Sequence, residues 1–438
     1  MIFKQKLVKF IEWAHLKLFK HEMGPEMREF LVNLIWSFLS GSVSAIVVLA
    51  VNIIAGRLMG PEEYGKYNLI LVISSYLLVP IYLGLDLASV RAIARSKDQK
   101  EVGKNVTSSI TFVVFSTIIV ISLISIFQKP VAALFSTNTQ LLKYALFFTS
   151  FLVVKTILDC CVRGIKLFKQ QFKGRLLETV LVLVAFVMIF LVAQKQNYAS
   201  YVYVLSVGAV ALSLYYIMSL KKYLGSFSFL KIKEQLSYGK FFALTATLTT
   251  VFVSLDKLLI NKYLTAYDLG LYVAYYTVSV ALVLQIATMF TNVFFPSIAK
   301  DMNKAVFSKI ERLMYLGFVP LLAVIIVLVF LLMKLFGKKY GIQLDLILIF
   351  GLLGTIQIVT SVYYSVILTF EKTLYKKYLL FSNLVNLFTV VIYFGMFFTH
   401  SISIKNIALA LIVNYIIVFL VQKRLIKRRF CDKVYACN

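Results

Sequence analysis

Apolar runs of about 20 residues recur along the chain from residue 32 to residue 422, separated by short polar segments. A run of this length is sufficient for an α-helix to cross the hydrocarbon core of a bilayer. Helices are expected because they satisfy their own backbone hydrogen bonds inside lipid. The chain is 61% hydrophobic and 15% charged, whereas a soluble globular protein carries far more charge. We therefore predict an all-α membrane protein.

The hydropathy pattern predicts twelve transmembrane helices, six in each half of the chain. Pro80 interrupts one predicted span, and Pro296 and Pro320 flank others, so local kinks are expected. The predicted spans are 32–56, 67–88, 106–127, 141–161, 175–194, 200–220, 240–263, 270–295, 313–334, 344–367, 378–399 and 404–422. The predicted organisation is an N-terminal segment (1–30), a first bundle (31–220), a linker (221–239), a second bundle (240–425) and a basic tail (426–438).

Lys and Arg residues are concentrated in the loops on one side of the predicted membrane. That side holds about 34 of the 46 Lys and Arg residues, and the opposite loops hold about 10. Because cytoplasmic loops carry this excess, both termini are predicted to be cytoplasmic. Segment 1–30 has an apolar and a basic face, which predicts a helix lying on the cytoplasmic leaflet. The net charge of +27 thus indicates orientation and contact with membrane lipids, not nucleic-acid binding.

The chain contains one loop motif twice. Residues 57–67 align without a gap with residues 262–272, at a constant offset of 205 positions. An offset of nearly half the chain indicates two similar halves in series. Halves with six spans each point the same way, so their pseudo-two-fold axis runs along the membrane normal, and the cleft between them is the predicted substrate path. The aligned pairs include Arg57 with Lys262, Glu63 with Asp268, Gly65 with Gly270 and Tyr67 with Tyr272.

Glycine and proline residues mark the structure of the repeated loop. Gly60 and Pro61 predict a turn in the first copy. Gly65 and Gly270 are suited to helix starts that pack closely against a neighbour, because glycine has no Cβ.

Charged side chains inside predicted spans are costly in lipid and therefore mark candidate functional residues. Asp256 is expected either to face the cleft or to pair with a neighbouring helix. Lys257 follows about 100° further round the helix, so we expect the two side chains to point in different directions. Lys257 is either cavity-facing or extended to the outer head groups. Lys155 and Asp159 are four residues apart, a spacing that allows an ion pair within one helix.

Four further residues are candidates for contact with a substrate. Arg91 lies at the predicted inner end of the second span, as an interfacial residue or a phosphate contact. Arg57 lies at the outer end of the first span, as a candidate or as a simple anchor. Asn383 and Asn386 share a helix face and are candidate partners for sugar hydroxyls, although single amides in spans are more typical of helix–helix contacts.

Sequence motifs of nucleotide- and metal-dependent enzymes are absent. The chain has no GxxxxGK[ST] phosphate loop, no GxGxxG and no HExxH. We expect no enzymatic activity, no cofactor and no metal centre. The four cysteines are predicted to be free thiols: Cys160, Cys161, Cys431 and Cys437.

Several stretches together resemble the polysaccharide biosynthesis flippases. This family belongs to the multidrug/oligosaccharidyl-lipid/polysaccharide exporter (MOP) superfamily. The resemblance extends over residues 30–425, and it depends on the order of its motifs within a twelve-span plan. The stretches that carry it are 55–67, 84–86, 91–95, 256–260, 270–272 and 295–299.

The resemblance implies a V-shaped fold of two six-helix bundles in a bacterial or archaeal cytoplasmic membrane. It implies that undecaprenyl-pyrophosphate-linked oligosaccharide units are flipped to the outer leaflet for O-antigen lipopolysaccharide, capsule or exopolysaccharide synthesis. Polysaccharide polymerase and chain-length machinery are the partners that such a role suggests. A cationic cavity would be needed for the pyrophosphate. The depth of Asp256 in its span motivates a further hypothesis, that a gradient of H⁺ or Na⁺ drives switching through this carboxylate.

Three alternatives remain at this point. Within the same superfamily, the chain is a candidate cation-coupled multidrug exporter or lipid II flippase. A drug exporter would favour an apolar pocket with several acids, and deep acids are scarce here. A membrane glycosyltransferase or polymerase would expose a large loop with catalytic acids, whereas all the loops here are short.

Overall fold

The computed structural model of the chain describes residues 44–284, 287, 304–368, 370 and 372–435. Within these ranges the chain is helical, and no β-strand occurs among them. The surface helix predicted in 1–30 and the motif at 295–299 lie outside the described residues. The first part of the predicted span 32–56, most of the last third of the predicted span 270–295 and the predicted kink residue Pro296 also lie outside them.

The described part of each half consists of a series of long helices. The first half contains α1 (Ser44–Met59), α2 (Pro61–Tyr82), α3 (Leu85–Ala94), α4 (Gln99–Ile126), α5 (Gln128–Leu134), α6 (Thr139–Gly164), α7 (Phe168–Phe186) and α8 (Tyr198–Leu220). The second half contains α9 (Phe229–Tyr263), α10 (Ala266–Tyr276), α11 (Lys304–Phe336), α12 (Leu344–Leu368), α13 (Lys372–Phe398) and α14 (Ile404–Tyr435).

Short segments of other helix types connect or extend these elements. Wider π-helical turns continue α7 (Val187–Val192) and α10 (Thr277–Ala281). The 3₁₀ turns Lys221–Tyr223 and Lys338–Tyr340 follow α8 and α11.

Ten of the described helices are long and apolar enough to cross a membrane. The described part of α1 is apolar but shorter, and α9 is not among the ten. Every predicted span overlaps one of the helices in the described ranges. The all-α prediction is confirmed, and the chain is a multi-pass membrane protein.

The predicted second span is interrupted. α2 begins earlier than predicted, at Pro61, directly after Gly60 at φ 83°. A proline suits the first turn of a helix because the missing N–H has no helical partner there, and the predicted turn is therefore present. The helix ends at Tyr82, because Leu83 and Gly84 adopt φ angles of 49° and 80°. The prediction of one continuous span over 67–88 is wrong.

Other predicted boundaries also differ from the structure. α9 begins at Phe229, inside the predicted linker 221–239, and α14 continues to Tyr435 through most of the predicted tail. Pro320 lies inside α11 and does not flank it. Hydropathy marks only the part of a helix suited to lipid, while Lys, Arg and Glu extend the same helix beyond it with good helix propensity.

The two halves contact each other at the end of the bundle near Gly60, which we call the Gly60 end. α2 and α10 cross there backbone to backbone. A Cβ added to Gly65 would overlap the Ala266 carbonyl oxygen, and one added to Gly270 would overlap the Pro61 carbonyl oxygen. The offset of 205 positions relates Gly65 to Gly270 and Pro61 to Ala266, so each contact is the counterpart of the other and the crossing is reciprocal. The prediction of closely packed helix starts is confirmed.

Aromatic side chains extend this contact between the halves. The Tyr340 hydroxyl donates to the Gly56 carbonyl oxygen at 2.9 Å. The buried ring of Tyr64 packs edge-on against Phe336, with ring centroids 5.6 Å apart. Such pairs stabilise a contact beyond the area that they bury.

The halves also meet at the opposite end of α2, which we call the Gly84 end. The turn between α2 and α3 packs against α9, and a Cβ on Gly84 would overlap the Gly239 carbonyl oxygen. A buried polar contact lies nearby, in which Gln235 donates to Asn105 Oδ1 at 3.1 Å and accepts from Ser109 at 2.8 Å. The second half thus touches α2, or the turn that ends it, at both ends.

The reciprocal glycine contact predicts a position-specific stability effect. Gly65→Ala and Gly270→Ala should each lower the melting temperature in detergent, because overpacking of this kind typically costs about 1–3 kcal/mol. Gly395→Ala is the matched control, since a Cβ at that helical position meets nothing within 4 Å. Melting of all three variants at the wild-type temperature would contradict the close contact.

Candidate functional site

A polar cavity of about 300 Å³ lies inside the second half of the chain. It is bounded by α9, α10 and its helical continuation at Leu284, α12, α13 and α14. It is therefore not located in the cleft between the halves, where the substrate path was predicted. Its polar lining comprises Asp256, Gln357, Thr360, Ser361, Ser382, Asn386, Thr389, Asn414 and Gln422, with the tyrosines Tyr276, Tyr364, Tyr378, Tyr393 and Tyr415.

Three side chains of this cavity have buried polar atoms without a hydrogen-bond partner among the described residues. They are Oε1 of Gln357, the hydroxyl of Tyr393 and Oε1 of Gln422. Buried polar groups are almost always hydrogen-bonded, to protein or to bound water. The cavity therefore offers free acceptors, and a donor in the tyrosine hydroxyl, to water or to a small polar ligand.

Asp256 is the carboxylate of the cavity and is only 2% exposed. The Tyr272 hydroxyl donates to its Oδ2 atom. The backbone N–H of Lys257 donates to Oδ1 at 2.8 Å. Of the two orientations expected for Asp256, the structure shows a hydrogen bond to a neighbouring helix, α10, and burial inside the second half; the side chain does not face the cleft between the halves.

Lys257 does not point away from Asp256. Its Nζ atom lies 3.2 Å from Oδ1 and 3.3 Å from Oδ2 of the carboxylate. The expectation that the two side chains face different directions is wrong, because it considered only the Cα directions. A lysine side chain is long and flexible enough to fold back along its own helix.

An amide network connects α13 and α14 at the cavity wall. The buried Asn414 donates to Thr389 Oγ1 at 2.6 Å and to Asn386 Oδ1 at 3.3 Å. Asn386 and Asn414 therefore form a contact between helices, as is typical of amides in membranes. Asn383 is half-buried and does not line the cavity, so the structure does not bring it together with Asn386 at this site.

A cluster of charges lies inside the first half, between α6, α7 and α8. Asp159 accepts from Arg163 and Arg175, each at 3.3 Å, and from the Tyr216 hydroxyl at 3.0 Å. Lys155 pairs with Glu178 on α7. The predicted pair between Lys155 and Asp159 is therefore wrong, because each side chain finds its partners on neighbouring helices or one turn further on.

The two remaining arginine candidates lie at opposite ends of the bundle. At the Gly84 end, the Arg91 guanidinium lies over the Tyr238 ring of α9, 3.7 Å from its centroid, and so spans the contact between the halves. Arg57 is exposed at the Gly60 end, where its side chain packs beside Gly337. The structure brings neither arginine to the cavity.

Several residues of these clusters were not among the sequence candidates. Arg175 and Glu178 lie inside the predicted span 175–194, and a charge in a span is a recognisable signal. Gln357 and Tyr393 carried no comparable signal, because single polar residues in spans usually mediate helix packing. Their importance follows only from their convergence on one cavity.

The cysteines and possible metal ligands complete the description. Cys160 and Cys161 are buried free thiols. The side chains of Cys431 and Cys437 lie outside the described part. Over the residues described, no group of three His, Cys, Asp or Glu side chains is placed to hold a metal ion.

Solved structures of transporters from the MOP superfamily have a similar fold. The chain aligns with a structure described as "Inward-facing conformation of a multidrug resistance MATE family transporter of the MOP superfamily", with a TM-score of 0.68 and 14% identity over 90% of this chain and 98% of that chain. A MOP superfamily transporter from Pyrococcus furiosus, described by "Reverse polarity of binding pocket suggests different function", aligns with a TM-score of 0.61 and 14% identity over 91% and 96%. At this identity the likeness shows the fold.

The sequence comparison identifies the family. No curated protein matches the chain at a significant level. The family described as "Polysaccharide biosynthesis protein" matches residues 30–302, which is more than half of the chain. The resemblance drawn from the sequence motifs is thereby confirmed. The chain has the fold of the MOP superfamily transporters, and it belongs to the polysaccharide biosynthesis protein family.

Proposed function

We propose that the protein flips polyprenyl-pyrophosphate-linked oligosaccharide units across a bacterial or archaeal cytoplasmic membrane, for O-antigen, capsule or exopolysaccharide synthesis. The observation that carries this proposal is the family match over residues 30–302. The transporter fold and the ten apolar helices support it. Polysaccharide polymerase and chain-length machinery are the proposed partners, and the protein has no enzymatic role in this scheme.

The proposed architecture is twelve membrane-spanning helices in two bundles of six. In this scheme α1 and α9 complete the set, with a parallel pseudo-two-fold axis between the bundles. The reciprocal contact of Gly65 with Gly270 supports such an axis, because equivalent residues meet where a two-fold axis passes.

The mechanism follows from the cost of moving sugars through lipid. Each hydroxyl stripped of its hydrogen bonds costs several kcal/mol, so the head group needs a hydrated path while the polyprenyl tail stays in the bilayer. The cavity of about 300 Å³ is at the lower limit of small-molecule sites, which is too small for several sugars. The path must therefore open between the halves, by alternating separation at the Gly60 end and the Gly84 end.

The charge cluster of the first half is the proposed contact for the pyrophosphate. It contains three cations, Lys155, Arg163 and Arg175, against the carboxylates of Asp159 and Glu178. The side chains of Arg163 and Arg175 remain 41% and 32% exposed. A guanidinium group can donate two parallel hydrogen bonds to phosphate oxygens. Because these two groups are partly exposed, they retain N–H donors for an incoming anion.

The polar cavity of the second half is the proposed switching site. It contains Asp256 and free acceptor atoms, and ionisable residues inside membrane helices mark ion pathways and proton relays in transporters. We propose that a gradient of H⁺ or Na⁺ acts through Asp256. The ion then only has to shift the equilibrium between two conformations of similar free energy.

Proteoliposomes provide the test of the substrate. The expected result is that the wild-type protein makes a fluorescent polyprenyl-pyrophosphate oligosaccharide accessible to an impermeant quencher, because it moves the head group between leaflets. Accumulation of drug cations in the same vesicles, without movement of the labelled lipid, would instead identify a multidrug exporter. Preference for the peptide-bearing lipid II over the oligosaccharide lipid would identify a lipid II flippase.

Asp256→Asn should reduce gradient-driven flipping at least about fivefold, the lower range of typical coupling effects. The variant keeps the size of the side chain but removes the charge that the proposed coupling requires. Asp345→Asn serves as the matched control, because it makes the same substitution at a carboxylate that is 44% exposed and does not line the cavity. Full transport by Asp256→Asn with unchanged dependence on the gradient would exclude the coupling role.

The topology gives an independent prediction. Reporter tags fused to the two termini should both respond from the cytoplasm, because the Lys and Arg excess and an even number of spans require it. Single cysteines introduced at Glu62 and at Lys97 should label from the outside and from the inside, respectively. Termini on opposite faces would contradict the twelve-helix proposal.

A further inference from the structure

The ammonium group of Lys257 is surrounded like a bound cation. Its Nζ atom donates to both carboxylate oxygens of Asp256 and to a third oxygen, the Val253 carbonyl, at 3.0 Å. The ring of Tyr276 covers it at 4.4 Å from the centroid. The Lys257 side chain is 12% exposed. Three oxygens and an aromatic face are a set of neighbours that also suits a free monovalent cation.

A buried carboxyl group stays ionised in lipid only beside a positive partner, because an isolated charge there is strongly unfavourable. We propose that Lys257 is a tethered cation that fills the monovalent-cation site of Asp256 in this conformation. A free Na⁺ ion and the ammonium group then compete for the same oxygens. This inference deepens the proposed switching role of Asp256 and rests on it for its meaning in transport. Of the two proposed coupling ions, it favours H⁺, because Lys257 keeps Na⁺ from the carboxylate in the wild-type protein.

Covalent attachment decides this competition. The ammonium group is joined to the residue next to Asp256, so its effective concentration at the carboxylate is far above that of ions in solution. Lys257 also donates its backbone N–H to the same carboxylate, and this hydrogen bond holds the carboxylate next to the ammonium group. Na⁺ should therefore bind weakly to the wild-type protein and more strongly when the ammonium group is removed.

The other groups around Asp256 are neutral, so the competition between Na⁺ and the ammonium group takes place at this one carboxylate. The Tyr272 hydroxyl donates to Asp256, and Tyr393 and Gln357 line the same cavity with oxygen atoms that have no described partner. These neutral oxygens supply further ligands for a free ion once Lys257 is replaced. No other carboxylate lines the cavity within the described part of the chain.

The experiment uses the purified full-length protein in detergent, with radioactive Na⁺ binding and thermal melting as readouts. The wild-type protein should show no saturable Na⁺ binding and the same melting temperature in Na⁺ and in choline. Lys257→Met should gain saturable Na⁺ binding and melt about 2 °C or more higher at saturating Na⁺. The double variant Asp256→Asn/Lys257→Met removes both charges. It should show no saturable Na⁺ binding and the same melting temperature in Na⁺ and in choline.

Lys257→Gln provides a second test if the methionine variant is unstable. A neutral variant that folds only in Na⁺ would support the proposal, because the ion then replaces the missing ammonium group. Folded neutral variants without a Na⁺ response would overturn it, as would neutral variants that no Na⁺ concentration can stabilise. Saturable Na⁺ binding by the wild-type protein that depends on Asp256 would overturn it as well. None of these readouts involves lipid-linked sugar. A negative result for Na⁺ binding is therefore distinguishable from a negative result in the flipping assay.

Discussion

The approach of two helix backbones at Gly65 and Gly270 is the constraint on which the arrangement of the halves depends. At this crossing, even one methyl group would overlap a carbonyl oxygen of the opposite helix. Helix association in lipid lacks a hydrophobic driving force, so it relies on close packing, and small residues permit it. The equivalent positions of both repeats share this requirement, which makes the contact symmetric. The aromatic contacts around Tyr340 and Tyr64 then surround a crossing that glycine has already made possible.

Much of this arrangement follows from the sequence by simple physical rules. Apolar length predicts the helices, since the bilayer sets a minimum span. The repeated loop predicts that residues 65 and 270 are equivalent, and the structure places them in contact. These rules do not predict the residues at which the helices begin and end. α9 continues past Phe229 and α14 to Tyr435, because charged residues outside the lipid still favour helix. The break at Leu83 and Gly84 required left-handed backbone angles that hydropathy does not report.

The candidate sites were harder to predict, because their geometry depends on which helices become neighbours. Asp256 stood out as a charge in a span, but its partner was misjudged, since side-chain length outweighs the angle between adjacent Cα positions. Lys155 pairs with Glu178 on another helix in place of Asp159 on its own. The cavity draws its lining from five helices, and no local spacing within one of them reveals such a convergence.

The turn at Gly84 has a consequence for how the halves move. The second half touches α2 at Gly65 and its terminal turn at Gly84, and both contacts bring backbone against backbone. No side chain stands between the two backbones at either glycine, so the helices can tilt at that point without a rotamer change between them. Either contact can therefore act as a pivot. The opposite end of α2 then separates from the second half while the contact at the pivot is kept.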